Sequence, residues 1–170
     1  MNQENWIPVP VRRSGESRQK RSFFLPRNRE RATSVINSYF DDLNVRRPVF
    51  VREEFMAMLD SVYDSLDEKK AAAIDSKYMD VPKDSGFLCS VYLVLALGTL
   101  CEENKILRVS LPRASKLYMD WPHPETFYSY AISLKPDLPN NITTLQALIL
   151  FHWYLYIEVR DEENLHHWLC

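Results

Sequence analysis

Apolar residues recur three and four apart along much of the chain. After Arg29, the residues Ala32, Val35, Ile36, Tyr39, Phe40 and Leu43 fall on one side of a helix, while Thr33, Asn37, Ser38, Asp41 and Asp42 fill the other. Beyond Pro48 the same spacing returns, with Phe55, Met56, Leu59, Val62, Tyr63 and Leu66 set against Glu53, Glu54, Asp60 and Asp64. Two amphipathic helices are predicted, joined by a short connection over 45–50. On that pattern the four carboxylates form a solvated face rather than an acid–base pair.

The stretch 67–82 is polar and reads as a connecting loop, with a short helical turn at 71–74. Asp84 or Ser85 can then cap a helix whose residues 87–100 are apolar nearly all round, which marks a central element. Pro122 and Pro124 stand where a helix can begin, because proline is tolerated at a first helical position. Phe127, Tyr128, Ala131 and Ile132 supply the inner face of that short helix, which ends before Pro136. Thr143 and Gln146 have the spacing of a capping box for a last helix over 144–158. Its apolar residues point in almost every direction, so it too is expected to be central, with Leu148 and His152 inside. Only three shorter amphipathic helices are available to cover two wholly apolar ones, so part of this last helix is expected to stay uncovered.

No alternating strand pattern bounded by tight turns is evident. The predicted fold is all-α, an irregular bundle of about five helices with two central apolar helices. Three regions follow: a basic flexible leader over 1–22, a helical domain over 23–158 and a tail over 159–170.

Composition narrows the function. Hydrophobic residues are 46% and charged residues 26% of the chain, ordinary globular usage that supports a packed core. A formal net charge of −2 gives no general attraction to nucleic acid or acidic lipid. The local exception is the leader, where Arg12, Arg13, Arg18, Lys20 and Arg21 could contact phosphates weakly and without sequence preference. Three scattered glycines cannot build a phosphate-cradling loop. Cys89, Cys101 and Cys170 are an odd number without close pairing, as expected in a reducing compartment. The most apolar run, 86–101, falls short of the roughly 20 residues of a membrane span; a core helix is expected there, and no membrane partner.

Candidate chemistry is sparse. No Gly-x-Ser-x-Gly elbow is present, and no cysteine has a histidine beside it in an activating motif, so an enzyme is not expected. Glu162, His166 and Cys170 lie four apart, with His167 adjacent, but the set is incomplete for structural zinc, and no metal or other cofactor is expected in this chain. Phe127, Tyr128, Trp153, Tyr154 and Tyr156 could line an apolar pocket or simply pack as core.

Several segments resemble a known family. They are Phe24-Leu25-Pro26 through Arg29-Glu30-Arg31-Ala32, Ile36-Asn37-Ser38-Tyr39-Phe40, and Leu43-Asn44-Val45-Arg46-Arg47-Pro48-Val49-Phe50. Further on come the run from Gly86 to Thr99, Ser133-Leu134-Lys135-Pro136-Asp137, and Thr144-Leu145-Gln146-Ala147-Leu148-Ile149-Leu150. Together they are similar to the N-terminal part of the fungal-specific transcription factor domain, the middle homology region of zinc-cluster regulators, over about 23–158. The resemblance implies a nuclear regulatory domain that senses a protein partner or a small effector. In that family it lies downstream of a six-cysteine zinc cluster that binds DNA. Those cysteines are not in this chain, so zinc is expected only in a separate upstream cluster and DNA contact only indirectly. From Val159 onward the likeness stops. The expected function is therefore the regulatory domain of a fungal transcription regulator. The alternatives are a stand-alone helical interaction module, or a truncated product with no DNA-linked role, acting through a protein partner or as a homo-oligomer.

Overall fold

The computed structural model describes residues 6–9, 23–72, 85–109, 121–135 and 138–164. Among them lie five α-helices: α1 (Arg29–Tyr39), α2 (Arg52–Ala72), α3 (Ser85–Val109), α4 (Pro124–Leu134) and α5 (Ile142–Asn164). The architecture is all-α, and the helix α3 stands at its centre, packed on α1, α4 and α5.

Helix α3 is central because its sequence offers no polar face. Every residue from Gly86 to Thr99 is buried, and the two aliphatic hydroxyls among them, Ser90 and Thr99, return to the helix's own backbone. Ser90 Oγ donates to the Gly86 carbonyl at 3.0 Å and Thr99 Oγ1 to that of Leu95 at 2.8 Å, so neither is buried without a partner. Among the described residues α3 is the one helix long and apolar enough to cross a membrane, and its apolar window is almost wholly enclosed by its neighbours. The polar continuation through Glu102 and Lys105 remains helical, so α3 runs well past the predicted end at 100.

Helix α1 lays Ala32, Val35, Ile36 and Tyr39 on α3, as its spacing predicts. Its start is capped by Asn28, whose side-chain oxygen accepts the Arg31 N–H at 2.9 Å. It then widens into a five-residue turn, Phe40–Asn44, closed by the Val45 N–H on the Phe40 carbonyl at 3.2 Å. Helix α2 buries Phe55, Leu59, Val62, Tyr63 and Leu66 and continues to Ala72, into the stretch read as loop. Helix α4 begins at Pro124 as expected and buries Phe127, Ala131 and Leu134.

Two features correct the sequence reading. A two-stranded antiparallel ribbon pairs β1 (Trp6–Val9) with β2 (Phe23–Pro26), Ile7 facing Leu25 and Pro8 facing Phe24. Trp6 and Ile7, in the stretch read as a flexible leader, are buried core residues. Trp6 meets Phe127 and Tyr130 of α4 with ring centroids 5.9 and 6.0 Å apart. The ribbon is fastened from the helices: Tyr63 Oη donates to the Pro26 carbonyl at 2.9 Å and Tyr92 Oη to that of Phe24 at 3.2 Å. Four-residue strands carrying proline are too short to register as alternation, which is why the pattern missed them.

The start of α5 is the second correction. Asn141, not Thr143, caps it: its Oδ1 accepts the Thr144 N–H at 3.0 Å and the Thr143 hydroxyl at 2.8 Å. Gln146, predicted to reach back in a capping box, instead donates to the Val49 carbonyl at 3.0 Å and ties α5 to the loop before α2. The helix also extends to Asn164, into the stretch read as a tail.

Candidate functional site

The predicted site residues separate in space. Arg12, Arg13, Arg18, Lys20 and Arg21 lie outside the described residues, as do His166, His167 and Cys170, while Glu162 falls on the described backbone of α5. Among the described residues no group of three or more His, Cys, Asp or Glu is placed to hold a metal ion.

The five aromatic residues proposed as pocket lining divide between two environments. Phe127 and Tyr154 are fully buried. Tyr128 stacks on Tyr154, centroids 4.2 Å apart and planes 14° from parallel, and meets Phe151 edge-on at 5.8 Å. These rings fasten α4 to α5. Trp153 and Tyr156 instead meet each other at 6.0 Å toward the outside of α5, where the Arg47 guanidinium lies 4.2 Å over the Trp153 ring.

That outside face is where α5 departs from the expectation of a helix central on every side. Ala147, Leu150, Phe151 and Tyr154 point into the bundle. Ile142, Leu145, Leu148, Ile149, Leu155 and Tyr156 remain 39% to 67% exposed, and His152, expected in the core, is exposed among them. Leu148 is 42% exposed whereas Leu150 is at 0%, so the placement of Leu148 inside is overturned. The physical reason is supply: α3 and α4 cover one side of α5, and no described helix lies over the other. Part of the last helix does stay uncovered, as the shortage of covering helices suggested.

At the head of this face lies a cavity of about 440 Å³. Its walls are the Pro48–Val51 loop, Glu54, Phe55 and Met58 of α2, and Ile142, Thr143 and Gln146 of α5. The loop is held by a buried asparagine. Asn44 Oδ1 accepts the Val49 N–H at 2.9 Å and the Phe50 N–H at 3.2 Å, and its Nδ2 donates to the Phe50 carbonyl at 3.0 Å. Phe50 is thereby drawn inward against Phe55, centroids 5.1 Å apart, while Val51 and Met58 stay exposed in the groove walls. Sequence reading missed this groove because its walls come from two segments far apart in the chain, 48–58 and 142–146.

The buried nucleophiles are chemically quiet. Burial pushes the Cys89 thiol up to about 12, only partly opposed by Lys135, and its Sγ lies 3.6 Å from the Ala131 carbonyl. Burial likewise pushes Cys101 up to about 12, reinforced by Asp42 and opposed by Lys105. Neither is a thiolate near neutral pH, the state a cysteine nucleophile needs.

Comparison of the chain with protein-family models, curated proteins and solved structures returns no match, which leaves the family resemblance resting on the sequence segments quoted for it.

Proposed function

We propose that the chain is a non-catalytic helical interaction domain whose working surface is the outer face of α5 with the groove at its head. The single observation that carries this reading is the row of six large apolar side chains left exposed along one helix. An apolar patch of several hundred Å² on a folded chain typically marks a binding site, because leaving it in water is unfavourable. The protonated, buried thiols support a binding rather than a nucleophilic role.

In its narrower form, resting on the resemblance, the domain serves a fungal transcription regulator in the nucleus and transmits the binding of a partner to a DNA-binding zinc cluster supplied elsewhere. A small apolar effector is the second ligand class. The groove favours it, since about 440 Å³ is the size of a small-ligand pocket.

Replacing Leu148 and Leu155 together by Glu tests the surface. With the chain diluted until it sediments as a monomer, binding of an apolar fluorescent dye should fall severalfold while helical circular dichroism and the melting midpoint hold. Unchanged dye binding, or loss of the fold, would show that this face is not the exposed working surface.

A further inference from the structure

The exposed residues of α5 follow a repeat. Leu145, Leu148, His152 and Leu155 are spaced three, four and three apart, the seam of a two-stranded coiled coil, and Ile142, Ile149 and Tyr156 follow seven apart along one flank. From Asn141 to Ile157 no Asp, Glu, Lys or Arg interrupts the helix. An uncharged seam has nothing with which to select a partner of opposite charge, and nothing with which to repel a copy of itself. A membrane surface fits poorly, since interfacial helices carry Lys and Arg on the polar face.

We propose that the occupant of this face is a second copy of the same chain, the two α5 helices pairing antiparallel about a twofold axis near Ile149 and Leu150. This deepens the interaction reading above and rests on it. In that register Leu145 meets Leu155 of the second copy, Leu148 meets His152, and Ile149 meets itself. Ile142, the most exposed of the row, is covered by Tyr156 of the second copy. Ile142 is also a wall of the groove, so the antiparallel arrangement brings the far end of the second helix to the groove mouth. A parallel pair would leave that mouth open and would set the two copies of His152 against each other.

The area is sufficient. Large side chains present on the order of 200 Å² each, so six that are about half exposed leave roughly 600 Å² per copy. Pairing two copies then removes roughly 1,200 Å² from water, at the lower end of specific protein interfaces. Such a dimer is isologous, each copy using the same residues, as closed twofold assemblies require.

Sedimentation equilibrium of the full chain at micromolar concentration should return twice the chain mass, and the Leu148→Glu, Leu155→Glu double variant should return one chain mass with unchanged circular dichroism. For the register, in a Cys170→Ser background, chains carrying Leu145→Cys are mixed with chains carrying Leu155→Cys under mild oxidation. The mixture should cross-link, and neither variant alone should. Cross-linking by each variant alone would overturn the antiparallel register. A wild-type monomer that still binds apolar dye, or that floats with neutral lipid vesicles, would overturn self-pairing while leaving the interaction surface standing. A monomer that does neither would overturn both.

Discussion

Gly98 of α3 lies directly against the backbone of Val35 in α1: a Cβ on Gly98 would sit 2.9 Å from the Val35 carbonyl carbon and from its Cγ1, and closer still to its carbonyl oxygen. The two helices cross where α3 has no side chain. In an open helix Gly→Ala gains about 1 kcal/mol of propensity. Here overpacking against backbone, which cannot swing aside, costs roughly 1–3 kcal/mol or more. Gly98→Ala is therefore expected to be net destabilising, lowering the melting midpoint by several degrees, since each kcal/mol is worth about 2–4 °C at this size. A raised midpoint by calorimetry would mean that the helices do not approach this closely.

Arg31 of α1 and Glu102 of α3 form a two-pronged ion pair whose side chains are only 21% and 11% exposed. Ser38 Oγ donates to Glu102 at 3.3 Å and Trp121 lies under the guanidinium at 5.3 Å. Glu102→Ala strands a largely buried cation and should cost on the order of 3 kcal/mol. Arg29, paired with Asp60 at 2.7 Å and Asp64 at 3.1 Å, is itself 41% exposed. Arg29→Ala should cost under about 1 kcal/mol. Urea unfolding of the two variants decides the contrast; equal midpoints would contradict it.

Asn44 carries the loop that walls the groove. Asn44→Ala leaves the Val49 and Phe50 amides and the Phe50 carbonyl without the partners they have now, at a cost of about 1–3 kcal/mol. The loss should also release the groove wall, so the variant should show faster amide exchange confined to 45–51 before any global melting. Uniform exchange along the chain would show that the loop is held by other means.

How far the sequence foretold this structure depended on whether a segment's two faces differ. Helices α1 and α2 declared their inner faces because polar residues marked the outer ones, and α3 declared its burial because it had no polar face at all. Helix α5 carries Leu148 outside and Leu150 inside, and periodicity cannot separate two faces of equal hydrophobicity. Its cap was ambiguous for a similar reason. Asn140-Asn141-Ile142-Thr143-Thr144 holds several residues that can cap, and only the fold shows that Asn141 does so while Gln146 turns to Val49. The β1–β2 ribbon gave four-residue signals interrupted by proline. The groove, assembled from a loop and two helices far apart in sequence, had no local signature.

Alkaline pH should unfold the protein through its thiols. Cys89 and Cys101 are raised from 9.0 to about 12 by burial, so between those values the unfolded chain releases protons that the folded chain retains. Stability is then fully present below about pH 9 and falls as pH rises, by roughly 1.4 kcal/mol per pH unit per thiol. A Cys89→Ala, Cys101→Ala variant should show a shallower decline above pH 9 in denaturant titrations. Identical slopes would show that the thiols are not shielded. Buried Tyr39, Tyr63 and Tyr92, raised in the same direction, extend the decline at higher pH.

The central claim is that α5 has one face in the core and one face given to a partner, and a glutamate scan along it measures both at once. Each of Leu145, Leu148, Ile149 and Leu155, and each of Ala147, Leu150, Phe151 and Tyr154, is replaced singly, and the melting midpoint and the sedimenting mass are recorded for every variant. Burying an uncompensated carboxylate costs several kcal/mol, a large share of a domain's stability. The second set should therefore lose its cooperative transition. The first set should melt within a few degrees of wild type and lose association. Unfolding by the first set, or retention of both fold and association throughout it, would contradict the account.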